Sequence, residues 1–335
     1  MQILSLNSHR VSSMCLCALA SMAWSAKPSV EERCARHAQR AIPPRELASM
    51  DSLPKSDTCS SYAYYFGFGC VQDFGMAKAK AYVEREGKVD DPFRGASLLS
   101  MIYANGHGAP RDLALAAKFS CEPNSAEAES EGRLDHLESL AEDDSPSGNF
   151  SICDDLTSGY MLSICANHWN RLHEIQLRET LAEIIRGWNK AERDSFERFR
   201  EGFHEYNGHH AGNEVDMSGT ARSAMYIEEL ERGEDSLVAC LLRFEKDIFP
   251  KASPGQFRRS DSLLNRVYKR IQRDTASPMG TVQREGIRRT QRKWLLYRDA
   301  WVRFARVKYP TFDEISIKDW LTRDRIKELE DLAER

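Results

Sequence analysis

The sequence predicts an all-α protein: a short helical-repeat (solenoid) domain followed by two small helical-hairpin or bundle units. Two observations predict it. Tyr65-Phe-Gly67-Phe-Gly69-Cys-Val-Gln-Asp73-Phe-Gly-Met-Ala77 returns as Ala104-Asn-Gly106-His-Gly108-Ala-Pro-Arg-Asp112-Leu-Ala-Leu-Ala116, an offset of 39 residues from Gly67 to Gly106 and from Asp73 to Asp112. From Ile152 onward apolar residues recur every three or four positions, the period of a helix with one buried face.

The N terminus reads as an export signal rather than as part of the fold. Met1 to Arg10 is polar and ends in His9-Arg10, Val11 to Trp24 is largely apolar, and small residues follow, so cleavage is expected after Ala23, Ser25 or Ala26. The apolar run is short for a membrane span, and the rest of the chain never approaches the roughly 18 apolar residues a span requires. Neither Cys15 nor Cys17 follows the small and aliphatic residues of a lipid-anchor signal. Seven cysteines would remain in an oxidising compartment, where disulfides are the default and an odd count leaves one thiol over.

Residues 27–145 form the expected repeat domain. Its paired glycines allow a tight turn between antiparallel helices, Asp73 and Asp112 can cap the helices that follow, and the alanines beyond let helices approach closely. These segments resemble Sel-one-like repeats, helix pairs related to tetratricopeptide units. Two repeats are fewer than a free-standing solenoid needs, so support from neighbours or from Cys34, Cys59, Cys70 and Cys121 is expected. The acidic, Ser/Pro/Gly-rich stretch 143–148 reads as a linker.

Residues 151–235 and 236–335 are the two helical units. In the first, Leu172, Ile175, Leu177 and Leu181 make one stripe, Gly187 and Asn189 mark its end, and Phe196, Phe199, Phe203 and Tyr206 make a second. The stretch Asn207 to Asn213 reads as a polar, glycine-flanked loop, and Tyr226 to Arg232 as a last helix. In the second unit, Asp261, Leu264, Asn265 and Tyr268 are followed by Trp294, Tyr297 and Arg298, then by Thr322 and Arg325.

This last series resembles the lysozyme inhibitor LprI-like family of small helical envelope domains. The first unit is a weaker second match, with Cys153, Thr157, Met161 and Cys165 opening its first helix. It departs from the family pattern at Arg178, where Asn is expected, and at Phe203, where Trp is expected; the second unit has Ala252 where the first has Cys165. If the opening cysteines pair with each other, Cys153 and Cys165 pin the entry segment to the helix and Cys240 is the odd thiol. Arg298 and Arg325, the recurrent arginines, are expected to pair with Asp261 or Asp324. The resemblance implies a periplasmic protein that binds and inhibits a lysozyme or another peptidoglycan hydrolase. The exported, disulfide-stabilised, repeat-bearing layout also suits an immunity protein against a delivered toxin, and with no catalytic signature in the sequence no enzymatic activity is expected. An envelope scaffold that gathers partners through its repeats is the competing expectation.

No other chemistry stands out. A Gly-x-Ser-x-Gly elbow, a phosphate-binding glycine loop, a His-Glu-x-x-His helix and a paired Cys-x-x-Cys are all missing, and no cofactor is expected. His204, His209 and His210, with Glu205, Glu214 and Asp216, match no standard metal spacing. As an exposed loop, His209, His210, Glu214 and Asp216 read instead as a partner-contact surface. Trp294, Tyr297 and Trp301 share a face that reads as core.

Charge is unevenly spread. Residues 27–150 hold 14 Lys/Arg against 20 Asp/Glu (−6), residues 151–250 hold 11 against 19 (−8), and residues 251–335 hold 21 against 12 (+9). The acidic body suits a cationic protein partner and the basic end suits anionic envelope material, whereas nucleic acid is an unsuitable target for an exported chain. The run Arg284, Arg288, Arg289, Arg292, Lys293 reads as a solvated helix face.

Overall fold

The computed structural model describes residues 27–142, 149–274 and 279–333, so the expected leader and the expected linker at 143–148 lie outside the described residues. Among these residues the fold is all-α, with thirteen α-helices, one short 3-10 turn and no strand. They build two apolar cores, and one long helix contributes to both.

The first core belongs to α1 (Val30–Ala38), α2 (Pro44–Leu47), α3 (Ser61–Phe66), α4 (Phe74–Glu86), α5 (Gly95–Asn105), α6 (Leu113–Ser120) and α7 (Glu127–Glu142). The two sequence-related segments fold alike. Gly67 and Gly106 end α3 and α5 in the left-handed region at φ 75° and 73°, where a side chain would be strained. Asp73 and Asp112 then cap α4 and α6, accepting from the Met76 and Leu115 backbone N–H groups at 2.9 Å each. Their own N–H groups donate to the Tyr64 and Tyr103 carbonyls. Ala77, Ala81, Ala116 and Ala117 are buried where the helices touch. Gly108 lies so close to α4 that an added Cβ would sit 2.3 Å from the Phe74 carbonyl oxygen.

Disulfides hold this half where its core is thin. Cys34–Cys121 joins α1 to the end of α6 across 87 residues, Cys59–Cys70 brackets α3 across 11, and Cys153–Cys165 ties the entry segment to the helix that follows. Cys240 is the free thiol among the described residues.

That helix, α8 (Gly159–Ile185), starts at the N-cap Ser158 and is about 40 Å long. Its first half, with Met161 and Cys165, completes the first core; Leu181 enters the second. His168 is buried among Tyr62, Phe66 and Phe93, and burial together with nearby Arg171 lowers its pKa to about 4. The core of the repeat half therefore runs beyond residue 145 into α8.

The second core adds α9 (Lys190–Asn213), α10 (Arg222–Phe244), α11 (Pro254–Arg273), α12 (Arg284–Lys308) and α13 (Glu314–Ala333). α9 and α12 pack antiparallel at its centre: Phe196 meets Phe304, Phe199 meets Trp301 at 4.5 Å, and Tyr206 stacks on Tyr297 at 4.9 Å. On the flanks α8 runs parallel to α10, with Gly159 against Thr220 and His173 on Asp235. Likewise α11 runs parallel to α13, with Ala252 on Ser316 and Ser260 on Asp319.

Two local expectations are corrected here. α10 is not confined to Tyr226–Arg232; Leu237, Leu241 and Phe244 continue its buried stripe across position 235, the expected boundary between units. Residues Asn207 to Asn213 are the last turns of α9, not a loop. Neither Gly208 nor Gly212 breaks it, because Asn207 bonds the Leu230 carbonyl at 2.9 Å and Asn213 bonds back to the His209 carbonyl at 2.8 Å.

Loop closure predicts unequal roles for the disulfides. Cys34→Ala/Cys121→Ala should cost about 4–5 kcal/mol and Cys59→Ala/Cys70→Ala about 3 kcal/mol, the longer loop costing more. Urea denaturation followed by circular dichroism checks this, and equal losses would refute the ranking.

Candidate functional site

The residues singled out in α11, α12 and α13 converge, but mostly inward. Leu264, Trp294 and Thr322 are buried, and the Tyr297 hydroxyl accepts from Trp301 Nε1 at 2.8 Å. Tyr268 packs partly against the same core. Arg298 lies over the Trp294 ring, 5.0 Å from its centroid. Asp261 and Asn265 are the surface members, Asn265 Nδ2 donating to the Asp261 carbonyl one turn back at 2.9 Å. These residues shape the bundle.

Arg325 is the keystone of this group. It replaces the expected pairing with Asp261 or Asp324 by a two-pronged bond to Glu214, Nη2 to Oε1 at 2.6 Å and Nη1 to Oε2 at 2.7 Å, with both side chains at 0% exposure. Nη1 also donates to Glu328 at 2.9 Å and Nε to Gln291 Oε1 at 2.9 Å. Tyr206 donates to the same Glu328 oxygen at 2.6 Å, and His210 bridges Glu214 at 2.7 Å and Glu229 at 3.2 Å. Burial alone would lower the His210 pKa, but the bonds to Glu214 and Glu229 raise it to about 10. Burial likewise works against the Glu214 carboxylate, and the Arg325 charge outweighs it, leaving its pKa lowered. Both groups are charged at neutral pH.

The expectation that His209, His210, Glu214 and Asp216 form an exposed contact loop is thus corrected. His209 and His210 are on α9, Glu214 is its buried C-cap, and Asp216 fastens two connections together. Its Oδ1 accepts from Ser218 and from the N–H and hydroxyl of Thr281, and these bonds, that of the Ser218 hydroxyl foremost, lower its pKa to about 2. His204 pairs with Glu234 at 3.1 Å, and no metal-holding group of three His, Cys, Asp or Glu occurs among the described residues.

Beside the network is a cavity of about 370 Å³ between α10 and α13, floored by Tyr206 and Tyr297 and walled by Cys240, Trp320, Asp324 and Glu328. Burial and the neighbouring Asp324 push the Cys240 thiol up to about 11, so it is protonated and a poor nucleophile at neutral pH. Burial also raises the Asp324 pKa. Sequence reasoning missed Glu229, Gln291 and Glu328, which join only through tertiary packing. One signal was available: Arg325 interrupts the apolar face made by Leu321, Ile326 and Leu329, and a cation there needs a buried anion.

Residues 252–329, which span α11, α12 and most of α13, match the family model described as Lysozyme inhibitor LprI. No curated protein and no solved structure matches the chain.

Arg325→Ala strands a buried carboxylate and should destabilise the protein by about 3–5 kcal/mol. Denaturant titration measures it, and a loss under about 1 kcal/mol would show the pair to be no more than a surface bridge. Because the folded-state pKa of His210 lies above its unfolded value, its contribution is complete below about pH 6.5 and disappears as pH rises toward about 10. His210→Gln should flatten the alkaline fall of the thermal midpoint over that window.

Proposed function

We propose that this is an exported periplasmic protein that binds and inhibits a lysozyme or another peptidoglycan hydrolase, in the manner of an immunity protein against a delivered toxin. The observation that carries this is the match of residues 252–329 to a lysozyme-inhibitor family. Three disulfides suit an oxidising compartment, and the leader-like residues 1–26 suit export. No helix among the described residues is long and apolar enough to cross a membrane.

On this reading the second core is a tandem of two LprI-like units. Support comes from the matching parallel pairs, α8 with α10 and α11 with α13, and from the central pair of α9 and α12. Phe203 and Tyr206 answer to Trp294 and Tyr297, and the answering tyrosines stack. The first half is read as a pair of Sel-one-like repeats, supported by its twin glycine turns and Asp caps.

Inhibition here needs no bond-making step, only occlusion of a cleft. The motif residues lie largely inside, so the contact must use other side chains. We assign it to the acidic pair α8 and α10, where Trp169 is 47% exposed on the same helix as Glu174, with Glu228 and Asp235 on α10. Tryptophan is among the residue types that most often dominate binding energy at an interface. Negative charge there steers toward cationic hydrolases.

Titration of purified protein into lysozymes and other cell-wall hydrolases should lower the rate of cell-wall lysis stoichiometrically. Trp169→Ala should weaken inhibition roughly tenfold or more. A lytic rate unchanged by excess protein would instead favour the second reading, an envelope scaffold whose paired helical repeats gather partners.

A further inference from the structure

We propose that α11 is a second docking surface, one that lays the protein on an anionic phospholipid membrane without insertion. The observation is a face of free cations. Arg258, Arg259, Arg266, Lys269, Arg270 and Arg273 are all exposed, and none has an ion-pair partner among the described residues. At 3.6 residues per turn they fall within about 120° of the helix circumference and along about 22 Å of its length. The opposite face, through Ser260, Leu264, Val267 and Ile271, is buried against the protein, so the helix cannot turn its cations elsewhere.

The run on α12 that looked like the basic surface is largely consumed within the molecule. Arg284 donates to the Ile271 and Asp274 carbonyls at the end of α11, Arg288 pairs with Glu285, Arg289 bonds Asn213, and Lys293 pairs with Glu205. Among the described residues the α11 cations have no ion-pair partner, with Asp274 the one carboxylate lining their groove, and an external anion relieves the remaining repulsion.

Phospholipid phosphate fits this face in chemistry and in shape. Five of the six cations are arginines, whose planar forks take phosphate oxygens in pairs. The helix also borders an open groove of about 870 Å³ toward α13, where Lys327 extends the same charge while Arg323 is paired with Asp319 at 2.9 Å. Leu263, 37% exposed, is the one large apolar side chain on the outer surface of α11, which suits a contact at headgroup depth. The acidic remainder, −6 over residues 27–150 and −8 over 151–250, is repelled by the same surface, so the molecule settles with α11 down.

The test is co-sedimentation of the full-length mature protein with phosphatidylcholine vesicles, with and without phosphatidylglycerol. Binding is expected only with phosphatidylglycerol and should fall as sodium chloride rises. Arg259→Gln/Arg266→Gln/Arg270→Gln keeps helix propensity and should weaken binding roughly a hundredfold, a factor of about five per cation. Arg186→Gln/Arg193→Gln/Arg198→Gln removes the same charge from exposed sites at the C-cap of α8 and on α9 and should bind as the parent does. Matching thermal midpoints verify that both variants are folded. Equal loss in the two variants would reduce the effect to net charge, and loss in neither would remove α11 from it; either overturns the proposal. Tighter binding to soluble polyglutamate than to the vesicles would also overturn it, in favour of an acidic polypeptide.

Discussion

Arg325 and Glu214 form a fully buried ion pair that ties α13 to the end of α9 inside the second bundle. Two charges without solvent are costly unless every lone pair and N–H is satisfied, and here Glu328, Gln291, Tyr206 and His210 supply the missing partners. The pair draws the C-terminus of α9 against the middle of α13, and thereby brings α10 and α13 to opposite walls of the cavity. A polar network of this kind fixes register more than it adds stability. An apolar seam could slide by a turn, whereas a guanidinium in a carboxylate fork cannot.

Much of this was legible in one dimension. The 39-residue recurrence marked both turns of the repeat half, because a left-handed backbone position and an N-cap each demand particular residue types. The stripes of Phe196 to Tyr206 and of Trp294 to Trp301 marked the two central helices. The error at Asn207 to Asn213 has a clear physical origin. Two glycines and two asparagines weigh against a helix by about 1 kcal/mol or less each, and side-chain bonds reaching residues 230 and 290 override that sum. No local signal reports contacts so distant in sequence.

Charge was legible only in bulk. A tally along the chain separates an acidic body from a basic end, yet it cannot tell the arginines that bind their own fold from those that face solvent. Arg284 serves as a clamp on the end of α11, while Arg266, with the same side chain, is bare. The difference lies in whether a carbonyl or carboxylate of a neighbouring helix comes within about 3 Å, which is decided by packing.

α8 belongs to both cores without an interruption between Cys165 and Leu181. The two halves are therefore geared together with a definite phase, since each residue of a helix advances its azimuth by about 100°. A single residue inserted or deleted between His168 and Leu181 would leave each core's composition intact while rotating one half against the other by that angle. Length along this segment is consequently as constrained as composition, and related chains that keep both halves should vary its side chains far more readily than its residue count.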